Sequence, residues 1–87
     1  MKNTWVTFRS VTPAQRGEMM LRRNGVSCVL RRTPIWMQEK GCGYTLQIRF
    51  ADTDFSVRLL RENKIEFKKV YMIGENGTAE ELVYDIS

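Results

Sequence analysis

The chain has 87 residues, of which 43% are apolar and 28% charged, so its composition is that of one small globular domain. It contains no histidine and two cysteines. These counts exclude a histidine-based catalytic triad, and they exclude a zinc site built only from the cysteines of one chain. The sequence also lacks a glycine-rich phosphate loop and a dinucleotide-binding fingerprint. We therefore predict no cofactor and no metal ion.

The charged residues are unevenly distributed along the chain. All fourteen basic residues and six of the ten acidic residues lie within residues 1–74, whereas residues 75–87 contain four acidic residues and no basic one. This distribution predicts a basic domain over residues 1–74 and an acidic tail over residues 75–87. The tail either lies on the basic body and partly neutralises it, or leaves the body free for an anionic partner.

The sequence also predicts the cellular compartment. No signal peptide is visible at the start, and no apolar run approaches the length of a membrane span. We therefore expect a cytoplasmic protein with two reduced thiols and no membrane partner.

The first part of the chain predicts a strand, a helix and a second strand. Residues 4–8 are β-branched and aromatic, which favours a strand. A capping-box pattern from Thr12 predicts a helix that stops before Gly25, because glycine accepts the left-handed conformation after a helix. Residues 26–31 predict the second strand, with Cys28 on its buried side.

The second part of the chain predicts the same elements in the order strand, helix, strand. Residues 44–50 alternate apolar and polar side chains, so this strand has one buried and one solvated face. Asp52 or Thr53 begins a helix whose acidic first turn and basic last turn suit the helix dipole. Residues 67–73 predict a fourth strand. We expect the buried face of the second helix to carry Phe55, Leu59 and Leu60.

The order β-α-β-β-α-β predicts an α+β fold of the ferredoxin-like plait type, with a four-stranded antiparallel sheet and two helices on one face. The tail is ambiguous, since Asn76-Gly77 favours a hairpin turn whereas Thr78 begins a second capping-box pattern. We favour an additional C-terminal edge strand over a short helix. The side chains expected to point inward are Val6, Phe8, Leu21, Leu46, Ile48, Phe50, Leu59 and Val70.

Cys42 is the most distinctive candidate for chemistry. It lies between Gly41 and Gly43 in a long connection, one residue after Lys40. Small neighbours leave a sulfur atom accessible, and nearby cations favour thiolate over thiol. The alternative interpretation is that Gly-Cys-Gly only marks a turn or bulge that leads the chain into the third strand.

Further candidate contacts surround this cysteine. Arg31 and Arg32 lie at the end of the second strand and are candidates for contacts with an anion or a partner protein. Trp36 and Met37 are large apolar residues within the connection. They either anchor a partner protein or fold back over the end of the core.

Four short motifs together resemble one family over residues 4–73: Phe8-Arg9-Ser10, Asn24-Gly25-Val26, Thr33-Pro34 and Gly41-Cys42-Gly43-Tyr44. That family is DUF3343, labelled putative selenium/sulfur carrier protein-like. The resemblance implies that Cys42, in the family's Cys-Gly motif, is the carrier thiol. Family members tend to have arginine after the proline and serine shortly before the cysteine, whereas this chain has Ile35 and residues 36–40 there.

The sequence leaves three functional hypotheses open. In the first, the chain is a non-enzymatic carrier that receives sulfur or selenium from a cysteine desulfurase-type donor and passes it to an acceptor protein. In the second, the plait is a homo-oligomerising or regulatory interaction module, for example a homodimer, without thiol chemistry. In the third, it binds RNA, since the element order is also that of the RNA-recognition motif and residues 40–47 match the RNP1 pattern of that motif at Lys40, Gly41, Gly43 and Tyr44. Cys42 and Gln47 replace aromatic residues of that motif, so we predict no specific nucleic-acid binding.

Overall fold

The computed structural model of the chain describes residues 2–34, 43–74 and 76–82. The described ranges contain five strands, two α-helices and one short 3₁₀ turn. In chain order these elements are β1 (Asn3–Phe8), α1 (Val11–Arg23), β2 (Cys28–Arg32), β3 (Tyr44–Arg49), the 3₁₀ turn (Phe50–Asp52), α2 (Thr53–Glu62), β4 (Val70–Ile73) and β5 (Ala79–Leu82).

The five strands form one antiparallel sheet in the order β2-β3-β1-β4-β5. The two helices pack on one face of this sheet, which we call the covered face, and the opposite face is the open face. This is the α+β plait that the sequence predicts. The fifth strand is the edge strand expected from the acidic tail, so the helix predicted as its alternative is not formed over residues 79–82.

Alternation along the strands determines which side chains enter the core. Val6 lies opposite Leu46 on one side and Val70 on the other, and each of these three side chains is at most 2% exposed. Their neighbours in sequence point to the open face, as the period of two in a strand requires. Of the eight residues predicted to point inward, six are fully buried core residues: Val6, Phe8, Leu21, Leu46, Ile48 and Val70.

The prediction that Phe50 points inward is wrong. Strand β3 ends at Arg49 and the chain turns into the 3₁₀ segment, so the alternation stops one residue earlier than the sequence suggests. Phe50 is 40% exposed, and the ammonium group of Lys2 lies 5.6 Å from its ring centroid.

The predicted buried face of α2 is also partly wrong. Phe55 is 43% exposed, and Leu59 is only partly buried against the core. The buried stripe instead runs through Thr53, Ser56, Val57 and Leu60. The Thr53 hydroxyl is 2.6 Å from that of Thr4 on β1, and this buried contact turns the small polar side of the first turn towards the sheet.

The boundaries of three other elements differ from the prediction. Helix α1 begins at Val11 after Ser10, so Thr12 lies inside the first turn and does not cap it. Pro13 also lies in this first turn. A proline is tolerated at that position because the first N–H groups of a helix have no hydrogen-bond partner within the helix. Strand β2 begins at Cys28, and β4 begins at Val70 although Lys68 already bonds to Thr7 of β1.

The connection between β4 and β5 is a tight turn. Gly77 has φ of 82°, a left-handed conformation that favours glycine. The Thr78 backbone N–H and hydroxyl both lie within hydrogen-bonding distance of Asn76 Oδ1, at 3.2 and 2.6 Å. The Gly74 N–H donates to the Thr78 carbonyl at 2.9 Å and closes the hairpin. Turn chemistry at Asn76-Gly77 therefore produces the hairpin that this dipeptide predicts.

Candidate functional site

Five of the eight predicted site residues lie outside the described residues. These are Trp36, Met37, Lys40, Gly41 and Cys42. The structure does describe Gly43, Arg31 and Arg32, together with Thr33 and Pro34 on the other side of the 35–42 segment. The described part of the site therefore consists of the two places that flank the 35–42 segment, residues 33–34 on one side and Gly43 on the other.

These two points lie side by side at one end of the sheet. The Thr33 backbone N–H donates to the Gly43 carbonyl at 3.1 Å, and the Gly43 N–H donates to the Phe8 carbonyl at 3.1 Å. The Thr33 and Thr45 hydroxyl oxygens are 2.8 Å apart, and both residues are buried. Backbone and side-chain hydrogen bonds thus fix Gly43, the residue that follows Cys42, against both β1 and the end of β2.

The structure does not bring Arg31 and Arg32 together. Neighbouring residues of a strand point to opposite faces, and these two follow that rule. The Arg31 guanidinium carbon lies 5.6 Å from the Trp5 ring centroid on the open face, whereas that of Arg32 lies 5.5 Å from the Tyr44 ring centroid. Each guanidinium is thus held by a cation–π contact, and the two do not form one anion site.

Cys28 has the environment of a structural thiol. It is 5% exposed, and its Sγ lies 3.8 Å from the Glu18 carbonyl on α1. Burial raises the pKa of this thiol, and the nearby positive charge of Arg22 offsets only part of that rise. Arg22 also donates to the Cys28 carbonyl at 2.8 Å. Cys28 therefore remains protonated and shielded at neutral pH, which agrees with the sequence prediction that it is buried.

A cleft lies beside this end of the sheet, and no sequence pattern predicts it. The cleft has a volume of about 770 Å³ and runs between the β1–α1 junction and the connection from α2 to β4. Basic residues from both segments line it, among them Arg9 and Lys68. The residues lie far apart in sequence, so only the pairing of Thr7 with Lys68 and Lys69 brings them together. The one available signal was the high density of basic residues at the ends of β1 and α2.

The described residues give no support to two other kinds of site. Within residues 2–34, 43–74 and 76–82, no three side chains of the metal-binding types lie close enough together to hold an ion. No helix in the same ranges has the length and apolarity needed to cross a bilayer.

Comparison with known families identifies the chain. The sequence model of the family described as "Putative Se/S carrier protein-like" matches residues 3–72. The chain belongs to this family. The match spans β1 to β4 and includes the position of Cys42, as the resemblance implied. No curated protein and no solved structure matches the chain.

Proposed function

We propose that this family member is a carrier that accepts a sulfur or selenium atom on the Cys42 thiol and passes it to a second protein. The observation that carries the proposal is the burial of Cys28, which is 5% exposed and whose pKa is raised by desolvation. The chain has two cysteines, so this burial leaves Cys42 as the thiol available for transfer. Membership of the carrier family supports the same assignment.

The transfer step is an exchange between sulfur atoms. The Cys42 thiolate attacks the terminal sulfur of a persulfide on the donor, a cysteine desulfurase-type enzyme. The S–S bond of the donor breaks as a new S–S bond forms on Cys42, and the donor leaves as a thiolate. Attack on a terminal selenium atom gives a selenosulfide in the same way. An acceptor thiolate then takes the terminal atom and releases Cys42, so no external oxidant or reductant is consumed.

The anchoring of Gly43 supports this proposal. A carrier thiol must reach two different proteins, and functional loops are commonly held by a rigid scaffold at their ends. Here Gly43 is bonded to Phe8 and Thr33, and the buried Thr33–Thr45 contact lies next to it. In our proposal Gly41 and Gly43 leave space for the partner, Lys40 favours the thiolate, and the reducing cytoplasm keeps the thiol available.

The remaining predicted contacts belong to partner docking in this proposal. Trp36 and Met37 are the candidate anchors for the donor or acceptor. Arg32 lies opposite Tyr44 in the sheet, one residue from Gly43, so we place it near the docking surface. Arg31 points to the open face and is the weaker candidate, because its guanidinium lies over Trp5.

A persulfide-transfer experiment tests the proposal. The protein is incubated with a cysteine desulfurase and cysteine, and its peptides are analysed by mass spectrometry without reductant. We expect the mass of one added sulfur on the Cys42 peptide. The matched controls are Cys42→Ser, which should lose the adduct, and Cys28→Ala, which should keep it. An adduct on Cys28, or none on either cysteine, would contradict the proposal.

Alkylation of the native protein provides an independent test. Cys42 should react faster than free cysteine at neutral pH, and high salt should reduce this advantage because it screens the nearby cations. Cys28 should react only when the protein unfolds. If Cys42 is inert in the native protein, thiol transfer is excluded.

The open face carries no helix among the described residues, and this favours one alternative, a self-associating or regulatory module. Trp5 and Tyr71 lie directly opposite each other on this face, and Val29 is 50% exposed. Sedimentation over a range of concentrations separates the hypotheses. A concentration-dependent mass together with an inert Cys42 would favour the module, whereas a monomer that accepts sulfur would favour the carrier.

A further inference from the structure

The cleft beside the Gly43 end of the sheet has an unbalanced charge. Among the described residues, four basic side chains line it, and Glu66 is the single acidic residue of that lining. In the described part of the chain, Arg9, Lys64 and Lys68 form no ion pair, although exposed basic residues elsewhere do so, such as Arg49 with Asp52. An anion in the cleft would therefore be attracted by several cations at once. The four basic residues are Arg9, Arg61, Lys64 and Lys68.

The amino end of α1 adds to this positive potential. Ser10 is both the N-cap of α1 and a lining residue of the cleft, and its side chain makes no capping hydrogen bond. The first turn of α1 contains no acidic residue. The free N–H groups at the start of a helix carry partial positive charge and can donate to an anion.

Lys64 adopts an unusual backbone conformation for its residue type. Its φ is 55°, in the left-handed region that glycine prefers after a helix. Here a basic side chain occupies that position at a conformational cost and lines the cleft. Replacing Lys64 by glycine should therefore relieve the backbone strain and remove a cation from the cleft, so its effects on stability and on anion binding should have opposite signs.

The size and the apolar part of the cleft define the ligand further. A free phosphate ion would occupy only a small part of about 770 Å³, a volume within the usual range for small-molecule sites. Pro13, Ile65 and Phe67 provide apolar surface next to the cations. This combination suits an anionic group attached to a small apolar body.

We infer that the cleft between the β1–α1 junction and the α2–β4 connection binds a phosphate-type oxyanion, either free or as the end group of a small phosphorylated molecule. The bound group would contact Arg9, Lys64, Lys68 and the N–H groups at the start of α1. This site goes beyond the proposed carrier function and does not involve Cys42. It does adjoin that region, because Gly43 is bonded to Phe8, directly before Arg9.

The test is a titration followed by backbone amide chemical shifts at constant ionic strength. The probes are inorganic phosphate and phenyl phosphate, with chloride as the reference anion. We expect saturable shifts at residues 9–14 and 64–68. If phenyl phosphate binds about tenfold more tightly than phosphate, the apolar surface takes part and the ligand is an ester. Equal affinities would assign the site to the free ion.

Two double variants of equal charge provide the control. Arg9→Glu with Lys68→Glu changes the cleft, whereas Arg16→Glu with Arg23→Glu makes the same charge change on α1 outside the cleft lining. The first variant should lower the affinity for phosphate at least about tenfold, and the second should have a much smaller effect. The milder pair Arg9→Gln and Lys68→Gln should lower it to an intermediate degree. Circular dichroism confirms that each variant is folded.

Two single variants sharpen the test. Lys64→Gly should raise the thermal midpoint but weaken phosphate binding, and Glu66→Gln should strengthen binding because it removes a carboxylate from the described lining of the cleft. The inference is overturned if shifts are absent, if they spread over all basic residues, or if both charge-reversed double variants weaken binding equally. Unchanged affinity in both Lys64→Gly and Glu66→Gln would overturn it as well.

Discussion

Two adjacent rows of side chains cross the whole sheet, one on each face, and they differ sharply in character. The row on the covered face is entirely apolar, and its central members are buried. The row on the open face is mixed and becomes more exposed towards both edges. The covered row contains Leu30, Leu46, Val6, Val70 and Leu82, and the open row contains Val29, Gln47, Trp5, Tyr71 and Glu81.

The comparison shows where the sheet obtains its stability. The covered row removes apolar surface from water, which contributes about 25 cal/mol per Å². The open row contributes through contacts between side chains, such as the Arg31 guanidinium over Trp5. Such contacts are each worth on the order of 0.5–1 kcal/mol at exposed sites. We therefore expect the stability of the fold to depend on the covered row and to tolerate changes in the open row.

The largest expected effect comes from two neighbours on β3. Leu46→Ala removes a fully buried side chain and should lower the free energy of unfolding by about 2–5 kcal/mol. Gln47→Ala should change it by less than about 0.5 kcal/mol. No described residue donates to the buried Gln47 Oε1, so truncation loses no hydrogen bond to it. Urea unfolding of both variants measures the difference. A loss below about 1 kcal/mol for Leu46→Ala would contradict the register of β3.

A smaller effect is expected from a buried pair of threonines on the open face. Thr33 and Thr45 are buried although Thr45 points away from the helices, and their hydroxyl oxygens are 2.8 Å apart. In a double-mutant cycle with Thr33→Val and Thr45→Val, we expect a coupling of about 1 kcal/mol. Denaturant unfolding of the two single variants and the double variant measures it. Additive losses would show that the two hydroxyl groups act independently.

These residues also show how far the sequence predicts the fold. Alternation predicted the register of β3 because a slip by one residue would move every apolar side chain to the open face. The same alternation predicted a solvated Thr45, which is wrong. A polar residue can be buried when a hydroxyl on a neighbouring strand satisfies it, and this depends on a pairing that no single segment reveals. The ends of the elements were predicted poorly because they also depend on where strand pairing stops. Phe50 continues the apolar alternation of β3, but the strand ends at Arg49.

For the candidate site, the sequence predicted the roles of the two cysteines but not the basic cleft. The position of Cys42 within a family motif and the burial of Cys28 both follow from local pattern, and the structure confirms the second. The basic cleft is different, since Arg9 and Lys68 are brought together only by the pairing of β1 with the segment before β4. Arg31 and Arg32 are neighbours on one strand, so the strand period of two already implies that they point to opposite faces. The sequence prediction nevertheless grouped them as contacts of one site.

The next prediction concerns the pH dependence of the covered face. Because burial raises the pKa of Cys28, the folded state keeps the thiol proton to a higher pH than the unfolded state does. As the pH rises above the ordinary pKa of a thiol, the unfolded state loses protons first and the free energy of unfolding falls. Cys28→Ala should cost on the order of 1 kcal/mol at neutral pH, and this cost should shrink in alkaline solution. Urea unfolding at several pH values measures it, and a constant cost would contradict the expected titration.

The smallest expected effect lies at the outer end of the open face. Lys69 Nζ and Glu81 Oε1 are 3.6 Å apart, and both side chains are partly exposed, at 32% and 46%. An ion pair in such a position contributes about 0.2–1 kcal/mol at most, since water and salt screen it. Glu81→Gln should therefore lower the free energy of unfolding by less than about 1 kcal/mol, and this difference should vanish at high salt. A loss above about 1.5 kcal/mol that persists at high salt would mean that β5 is fastened to the sheet through Glu81, and the open row would then contribute to stability much as the covered row does.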